Sequence, residues 1–223
     1  MTTTDSPKKK GSVPRWLAIP TAKPQLNTAE VASKYPRLRF QVFMGIFIGY
    51  ATFYLIRNNV PLVTPILTHE LGFSNAAIGA LSTALLLAYG FSKFFTAMIS
   101  DRSNARLFLP IGLVLSGIAN VLLAIAGYMG SGAAAAGYGA AIASTMAAIM
   151  VFNGIFQGMG WPPSGRVLVN WFSTSERGSK VSLWNTAHNV GGALSGLLVA
   201  WGFTLFGKTW QVAFWFPAVI SFV

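Results

Sequence analysis

The chain has 223 residues, of which 53% are hydrophobic and only 9% charged, and its mean hydropathy is +0.56. A soluble globular domain carries about 25% charged residues, so this composition selects a membrane protein. The absence of cysteine excludes disulfides, thiol catalysis and cysteine-based metal sites. A net charge of +11 would suggest nucleic acid in a soluble protein, but eight of the sixteen Lys and Arg precede Phe40 and most of the others flank apolar runs.

Residues 1–39 read as a basic, polar tail. It contains Lys8, Lys9, Lys10, Arg15, Lys23, Lys34, Arg37 and Arg39, with prolines at 7, 14, 20, 24 and 36, and one short interfacial turn at "RWLAIP". A secretory signal needs an apolar core soon after its positive start, and none appears before Phe40, so the N-terminus is expected to stay cytoplasmic.

A bilayer-crossing helix needs about 20 mostly apolar residues. The sequence predicts five complete spans, at about 40–66, 75–99, 107–128, 138–170 and 179–206. The fourth is too long for a straight crossing and is interrupted by "GMGWPPSG". A last run, 210–223, is too short to span and reads as an incomplete sixth helix. With the N-terminus inside, the inner segments are the tail, "SDRSNAR" and "STSERGSK", and together they hold twelve basic residues. The outer segments hold only Lys208. This bias sets the expected orientation.

Arg57, Lys93 and Arg166 remain, each within or near an apolar run. The five acids, Asp5, Glu30, Glu70, Asp101 and Glu176, all fall in the tail or loops. The spans therefore hold cations without carboxylates. A charge at the bilayer centre costs about 2.5 to 3.5 kcal/mol on insertion scales, so it pairs with another group or faces water. The natural partner is an anion from outside the chain, or an acid elsewhere in the protein.

Tyr50, Tyr54, Arg57 and Pro61 fall on one helical stripe, with Asn58 at its edge. Arg offers a planar fork matched to a phosphate, and Tyr adds hydroxyl donors. The competing reading is an Arg bonded to backbone carbonyls. In the second span Tyr89 and Lys93 are one turn apart, and Lys93 is near enough the inner end that snorkelling competes with ligand binding. In the fifth span Trp184, Asn185, His188, Gly192 and Ser195 share a face. His188 reads either as a hydrogen-bonded packing residue or as a group that follows the charge state of a bound phosphate.

Gly45-x-x-x-Gly49, Gly154-x-x-x-Gly158 and Gly192-x-x-x-Gly196 read as close helix contacts. "GMGWPPSGR" reads as a bend or cavity lining, because irregular backbone at membrane depth must face protein or water. Arg166 reads as an interface or gating residue at the inner end of this span. "GMG" follows no strand and is no nucleotide fingerprint. No metal motif or nucleophile–base set is visible, so no cofactor and no enzymatic activity are expected.

The loop "SDRSNAR" resembles the loop signature of the major facilitator superfamily. "GYATFYLIRNN", "AYGFSKF", "SDRSNARLFLP", "FQGMGWPPSGR" and "WNTAHNVGGAL", in this order, resemble the organophosphate:phosphate antiporter family, with glycerol-3-phosphate, hexose-phosphate and phosphoglycerate members. The resemblance runs from about Arg37 to the end. It implies an all-α membrane protein, the N-terminal six-helix bundle of a twelve-helix transporter, with one substrate site between two halves. It implies phosphate-binding roles for Arg57, Lys93 and His188 and pore-lining positions for Tyr50, Tyr54, Tyr89, Trp184 and Asn185. It implies gating or structural roles for Asp101, Arg102 and Arg106 in the loop, and for Gly158, Trp161 and Arg166 around the interruption.

The partners so implied are an organic phosphate, inorganic phosphate, the lipid bilayer of a bacterial inner membrane and a C-terminal half-bundle, without nucleic acid. Glycerol-phosphate and hexose-phosphate members carry Arg-Lys in helix 1, whereas here it is Arg57-Asn58, as in phosphoglycerate members. "GWPPSGR" is more similar to glycerol-phosphate members. "SDRSNAR" and "WNTAHNVGGAL" are more similar to the hexose-phosphate sensor branch, which would bind a sugar phosphate and signal to a partner kinase. An inactive fragment of a longer gene is a third expectation.

Overall fold

The computed structural model describes residues 13–21, 26–135 and 139–222, without the side chains of 130–135 and 139. The tail lysines 8, 9, 10 and 23 lie outside the described residues. The described residues form helices joined by short turns, with one isolated antiparallel bridge between Ala18 and Ser103. The helices are α1 (Thr28–Leu55), α2 (Asn59–Leu71), α3 (Asn75–Arg102), α4 (Ala105–Ala135), α5 (Gly139–Gln157), α6 (Trp161–Trp171), α7 (Thr174–Asn185), α8 (Ala187–Phe206) and α9 (Val212–Ser221).

Among the described residues, five stretches are long and apolar enough to cross a membrane: Thr28–Leu71, Asn75–Arg102, Ala105–Met129, Ala140–Trp171 and Thr174–Phe206. Large apolar side chains on their outer surfaces, such as Phe91, Phe94 and Phe95, stand exposed. In lipid such exposure costs nothing, because hydrocarbon is as apolar as the side chain. The chain is a multi-pass membrane protein.

The first span begins at Thr28, twelve residues before the boundary at Phe40 suggested by hydropathy. The reason is local. Asn27 accepts a hydrogen bond from the Glu30 amide at 2.8 Å, and Glu30 accepts one back from the Asn27 amide at 3.3 Å. This capping box satisfies two donors that a helix start leaves orphaned, so the helix nucleates in a polar stretch. Lys34, one turn on, lies 3.7 Å from Glu30. Ahead of it, residues 14–17 form the turn expected at "RWLAIP", and it clips onto the α3–α4 loop. The Asn104 amide donates to the Leu17 carbonyl at 2.7 Å, and Leu17 is buried while Trp16 is exposed.

Two spans are broken at proline-determined points. Proline clashes with the carbonyl four residues earlier and cannot donate to it. For Pro61 that carbonyl belongs to Arg57. The first span, read from sequence as one helix, is accordingly split, with α1 stopping at Leu55 and α2 restarting at Asn59. Pro162 and Pro163 act in the same way on the carbonyls of Gly158 and Met159. The fourth span stops at Gln157 and resumes at Trp161, where the prolines occupy the opening turn. The freed Gly158 carbonyl accepts the Thr96 hydroxyl at 3.0 Å. The fifth span steps only slightly, at Thr186.

α3 lies along α5, and α1 along α8. Both pairs need glycine at the crossing. A Cβ on Gly154 would sit 2.4 Å from the Leu85 carbonyl, and one on Gly158 would sit 2.0 Å from the Ser92 hydroxyl. In α8 the ridge is shifted from the expected Gly192–Gly196 pair. A Cβ on Gly191 would meet the Ala51 carbonyl at 2.1 Å, whereas Gly196 faces open space and Gly192 meets only the Asn58 amide at 4.0 Å. Small residues occur on two faces of α8, and Gly191 is on the one that points at α1. Arg166 reaches from α6 to the end of α3, donating to the carbonyls of Ser100 and Ser103. Arg is suited to this because its fork can satisfy two terminal carbonyls at once.

We expect Gly191→Ala to lower the thermal midpoint in detergent by several degrees while Gly196→Ala leaves it unchanged or raises it. Equal midpoints for the two variants would contradict this packing. Arg166→Lys, which keeps the charge and loses the fork, is expected to cost about 1 to 3 kcal/mol of stability and so to lower the midpoint. A melting curve matching wild type would show that the carbonyls are satisfied otherwise.

Candidate functional site

The break in the first span places Arg57 between two helices rather than on one. Its backbone amide reaches the Tyr54 carbonyl at 3.4 Å, and the residue is 7% exposed. Its guanidinium carbon lies 4.1 Å from the centroid of the Tyr54 ring and 4.1 Å from that of Tyr89. Nε donates to the side-chain oxygen of Gln157 at 2.9 Å. Nη2 is buried and has no hydrogen-bond partner. Lys93 extends the cluster, with Nζ 4.0 Å from the Tyr89 centroid, so that one phenol ring separates two cations.

These partners are neutral. Each aromatic contact contributes about 0.5 to 2 kcal/mol and the amide bond about 1.5 to 3 kcal/mol. They solvate the charge without cancelling it. The ion pairs Lys34–Glu30 and Arg39–Glu176 belong to the first turn of α1 and to the contact between α1 and α7, away from Arg57.

The expected residues of α1 and α7–α8 come together on the other side of Tyr54. The rings of Tyr50 and Tyr54 are 5.5 Å apart edge to face, Tyr50 and Trp184 are 4.6 Å apart, and Tyr54 and His188 are 5.5 Å apart. Trp184 is 1% exposed and donates to the Ile46 carbonyl at 3.2 Å, which fixes the plane against which Tyr50 stacks. A continuous chain of contacts thus runs from Trp184 through Tyr50, Tyr54 and Arg57 to Tyr89 and Lys93. His188, Tyr89, Lys93 and Tyr54 are half-buried, while Asn58 and Asn185 are exposed. Asn58 occupies the cap position of α2 without using its side chain as a cap. Asn185 is the last residue of α7.

The remaining expected residues sit elsewhere. Asp101 and Arg106, with Arg166, line a cavity of about 540 Å³ beneath Ile19 and Pro20, at the ends of α3 and α4. Asp101, Arg102 and Arg106 are exposed, and the Arg106 amide donates to the Asn104 side chain at 3.1 Å. Trp161 is half-exposed at the start of α6. Gly158 serves the α3–α5 crossing.

The sequence reading missed an inner polar layer. Gln157, Ser116 and Asn153 are each at most 2% exposed and hydrogen-bonded to one another. Asn120 and Asn59 are equally buried, with both side-chain polar atoms of Asn59 unpaired. The signal was present: Asn153 and Gln157, and likewise Ser116 and Asn120, are amides or hydroxyls one turn apart inside apolar runs. Among the described residues no group of three or more His, Asp and Glu could hold a metal.

The relatives agree with this architecture. The chain is 46% identical over 199 residues to a glycerol-3-phosphate transporter from Bacillus subtilis (strain 168), covering 89% of this chain and 42% of that protein. It is 36% identical over 186 residues to a membrane sensor protein from Escherichia coli (strain K12), covering 83% of this chain and 39% of that protein. The chain thus spans about two fifths of the length of the curated relatives it matches. Among solved structures it resembles a bacterial homolog of the human lysosomal transporter Spinster. The TM-score is 0.65 at 18% identity, over 82% of this chain and 41% of that one, which shows the shared fold. The sequence model of the Major Facilitator Superfamily matches residues 46–223. On the helical architecture and this match together, the chain belongs to the major facilitator superfamily.

Proposed function

We propose that the protein exchanges an organic phosphate for inorganic phosphate across a bacterial inner membrane by alternating access, and is not an enzyme. The observation that carries this reading is Arg57: a buried guanidinium with neutral partners and a buried, unpartnered Nη2. Arg57 and Lys93 bind the phosphoryl group, His188 follows its protonation, and Tyr50, Tyr54, Tyr89, Trp184 and Asn185 line the path. Asn58 borders the site where it bears on which organic group is accepted. Glycerol 3-phosphate is the first candidate, because the 46% identical relative is a transporter of it; phosphoglycerate and hexose phosphates are the alternatives.

The exchange requirement has a physical basis. An empty site holds uncompensated positive charge at membrane depth, and passing through a closed state in that condition is costly. A bound phosphate offsets the charge and stabilises closure, so only loaded forms cross readily. A companion C-terminal half-bundle supplies the opposite wall, and the N-terminus stays on the cytoplasmic side.

A second reading is a sugar-phosphate sensor acting on a partner kinase, favoured by the likeness to the Escherichia coli membrane sensor protein. Binding without flux would select it.

In proteoliposomes containing the full-length protein, phosphate/phosphate exchange is expected to fall more than about 100-fold in Arg57→Ala, as loss of a buried charged partner implies. Lys93→Ala is expected to weaken apparent affinity by about tenfold, one charge-assisted contact. Undiminished exchange in Arg57→Ala would sink the assignment.

A further inference from the structure

Gln157 does more than fill space beside Arg57. Its side chain is fully buried and makes three hydrogen bonds. Oε1 accepts from Arg57 Nε at 2.9 Å, and Nε2 donates to the Phe53 carbonyl at 3.3 Å and to the Ser116 hydroxyl oxygen at 2.7 Å. The Ser116 hydroxyl in turn donates to Asn153 Oδ1 at 2.5 Å. Donors and acceptors alternate in one direction along this chain. Because Ser116 spends its proton on Asn153, it can only accept from Gln157. The amide nitrogen of Gln157 therefore faces Ser116, and its oxygen faces Arg57. Gln157 and Asn153 are one turn apart on α5, Ser116 is on α4, and Phe53 is in the last turn of α1.

The Phe53 carbonyl is the one that Arg57 N–H would take in an unbroken helix. That amide reaches Tyr54 instead. One glutamine thus supports both the interrupted backbone and the charged side chain. Around the guanidinium, Tyr54 and Tyr89 lie against its faces and Gln157 occupies the Nε position on its edge. At the Nη end, Nη2 is buried and still lacks a hydrogen-bond partner. A planar fork presented in this way suits two oxygens of one oxyanion.

We propose that Gln157 is the positioning residue for Arg57, aiming its Nη fork at the phosphoryl group, with Ser116 and Asn153 setting the orientation of the glutamine amide. This rests on the reading of Arg57 as a phosphate ligand.

The test is displacement of radiolabelled inorganic phosphate from the full-length protein in detergent, with a melting curve on each sample. Gln157→Met keeps the length and removes both polar ends; phosphate affinity is expected to fall roughly 10- to 100-fold, the value of a hydrogen bond to a charged group. Gln157→Glu is expected to lose more affinity than Gln157→Met while melting no lower, because a carboxylate holds Nε and cancels the charge the ligand needs. In an Arg57→Lys background, which has no Nε, Gln157→Met is expected to cause no further loss. Ser116→Ala, which frees the amide without touching Arg57, is expected to weaken binding by a smaller factor and serves if Gln157→Met does not fold.

Wild-type affinity in Gln157→Met, Gln157→Glu and Ser116→Ala, with binding abolished in Arg57→Ala, would overturn the positioning role and leave the proposed function standing. An equal loss from Gln157→Met in the wild-type and Arg57→Lys backgrounds would overturn it too, by showing that Gln157 acts only through the fold. Normal binding in Arg57→Ala would overturn the function and the positioning role together.

Discussion

The structure is arranged around one guanidinium held in a low-dielectric interior by groups that carry no charge. Arg57 has two tyrosine faces and one amide oxygen for company. A carboxylate in the same place would pair with it and leave a silent, neutral core. Neutral partners lower the cost of burial while leaving the positive potential in place. That combination supplies attraction for an anion and keeps the site from collapsing onto an internal partner.

The backbone serves the same end. The first span is interrupted at Arg57, ahead of Pro61, and the fourth just past Gln157, ahead of Pro162 and Pro163. The two interruptions are joined by the Arg57–Gln157 hydrogen bond. Each leaves carbonyls without helical donors, and side chains supply them: Gln157 for Phe53, and Thr96 for Gly158. Gln157 and Thr96, polar side chains buried in apolar spans, thus act as partners of broken backbone, which a membrane interior demands. The close α3–α5 crossing at Gly154 and Gly158 brings the short Thr96 side chain within reach of the Gly158 carbonyl.

Much of this was legible in the sequence. Apolar runs gave the spans, and the isolation of Arg57 and Lys93 from any acid identified the unusual charges. The periodicity joining Tyr50 to Tyr54, and Trp184 to His188, gave the aromatic side of the site. Several features escaped, among them the inner polar layer of Gln157, Ser116 and Asn153 and the split of the first span ahead of Pro61. Hydropathy placed the first span at Phe40 because residues 28–39 are polar, yet the Asn27–Glu30 capping box starts the helix at Thr28 without apolar help. Spacing alone also could not choose between Gly191 and Gly192, since adjacent residues point about 100° apart and the choice depends on where α1 lies.

The sequence by itself determined the membrane environment, the number of complete spans, the interruption of the fourth at "GMGWPPSG" and the presence of uncompensated cations. These follow from composition and from local steric rules that need no knowledge of neighbours. Only the tertiary structure decided which side chains solvate Arg57. Gln157 lies a hundred residues away in the chain; its amide and the Tyr89 ring meet the guanidinium, and the Ser116 hydroxyl meets that amide, only because four spans pack side by side. Pairwise contact between distant segments depends on helix rotation and separation, and those are set by small-residue packing rather than by the periodicity of any one helix.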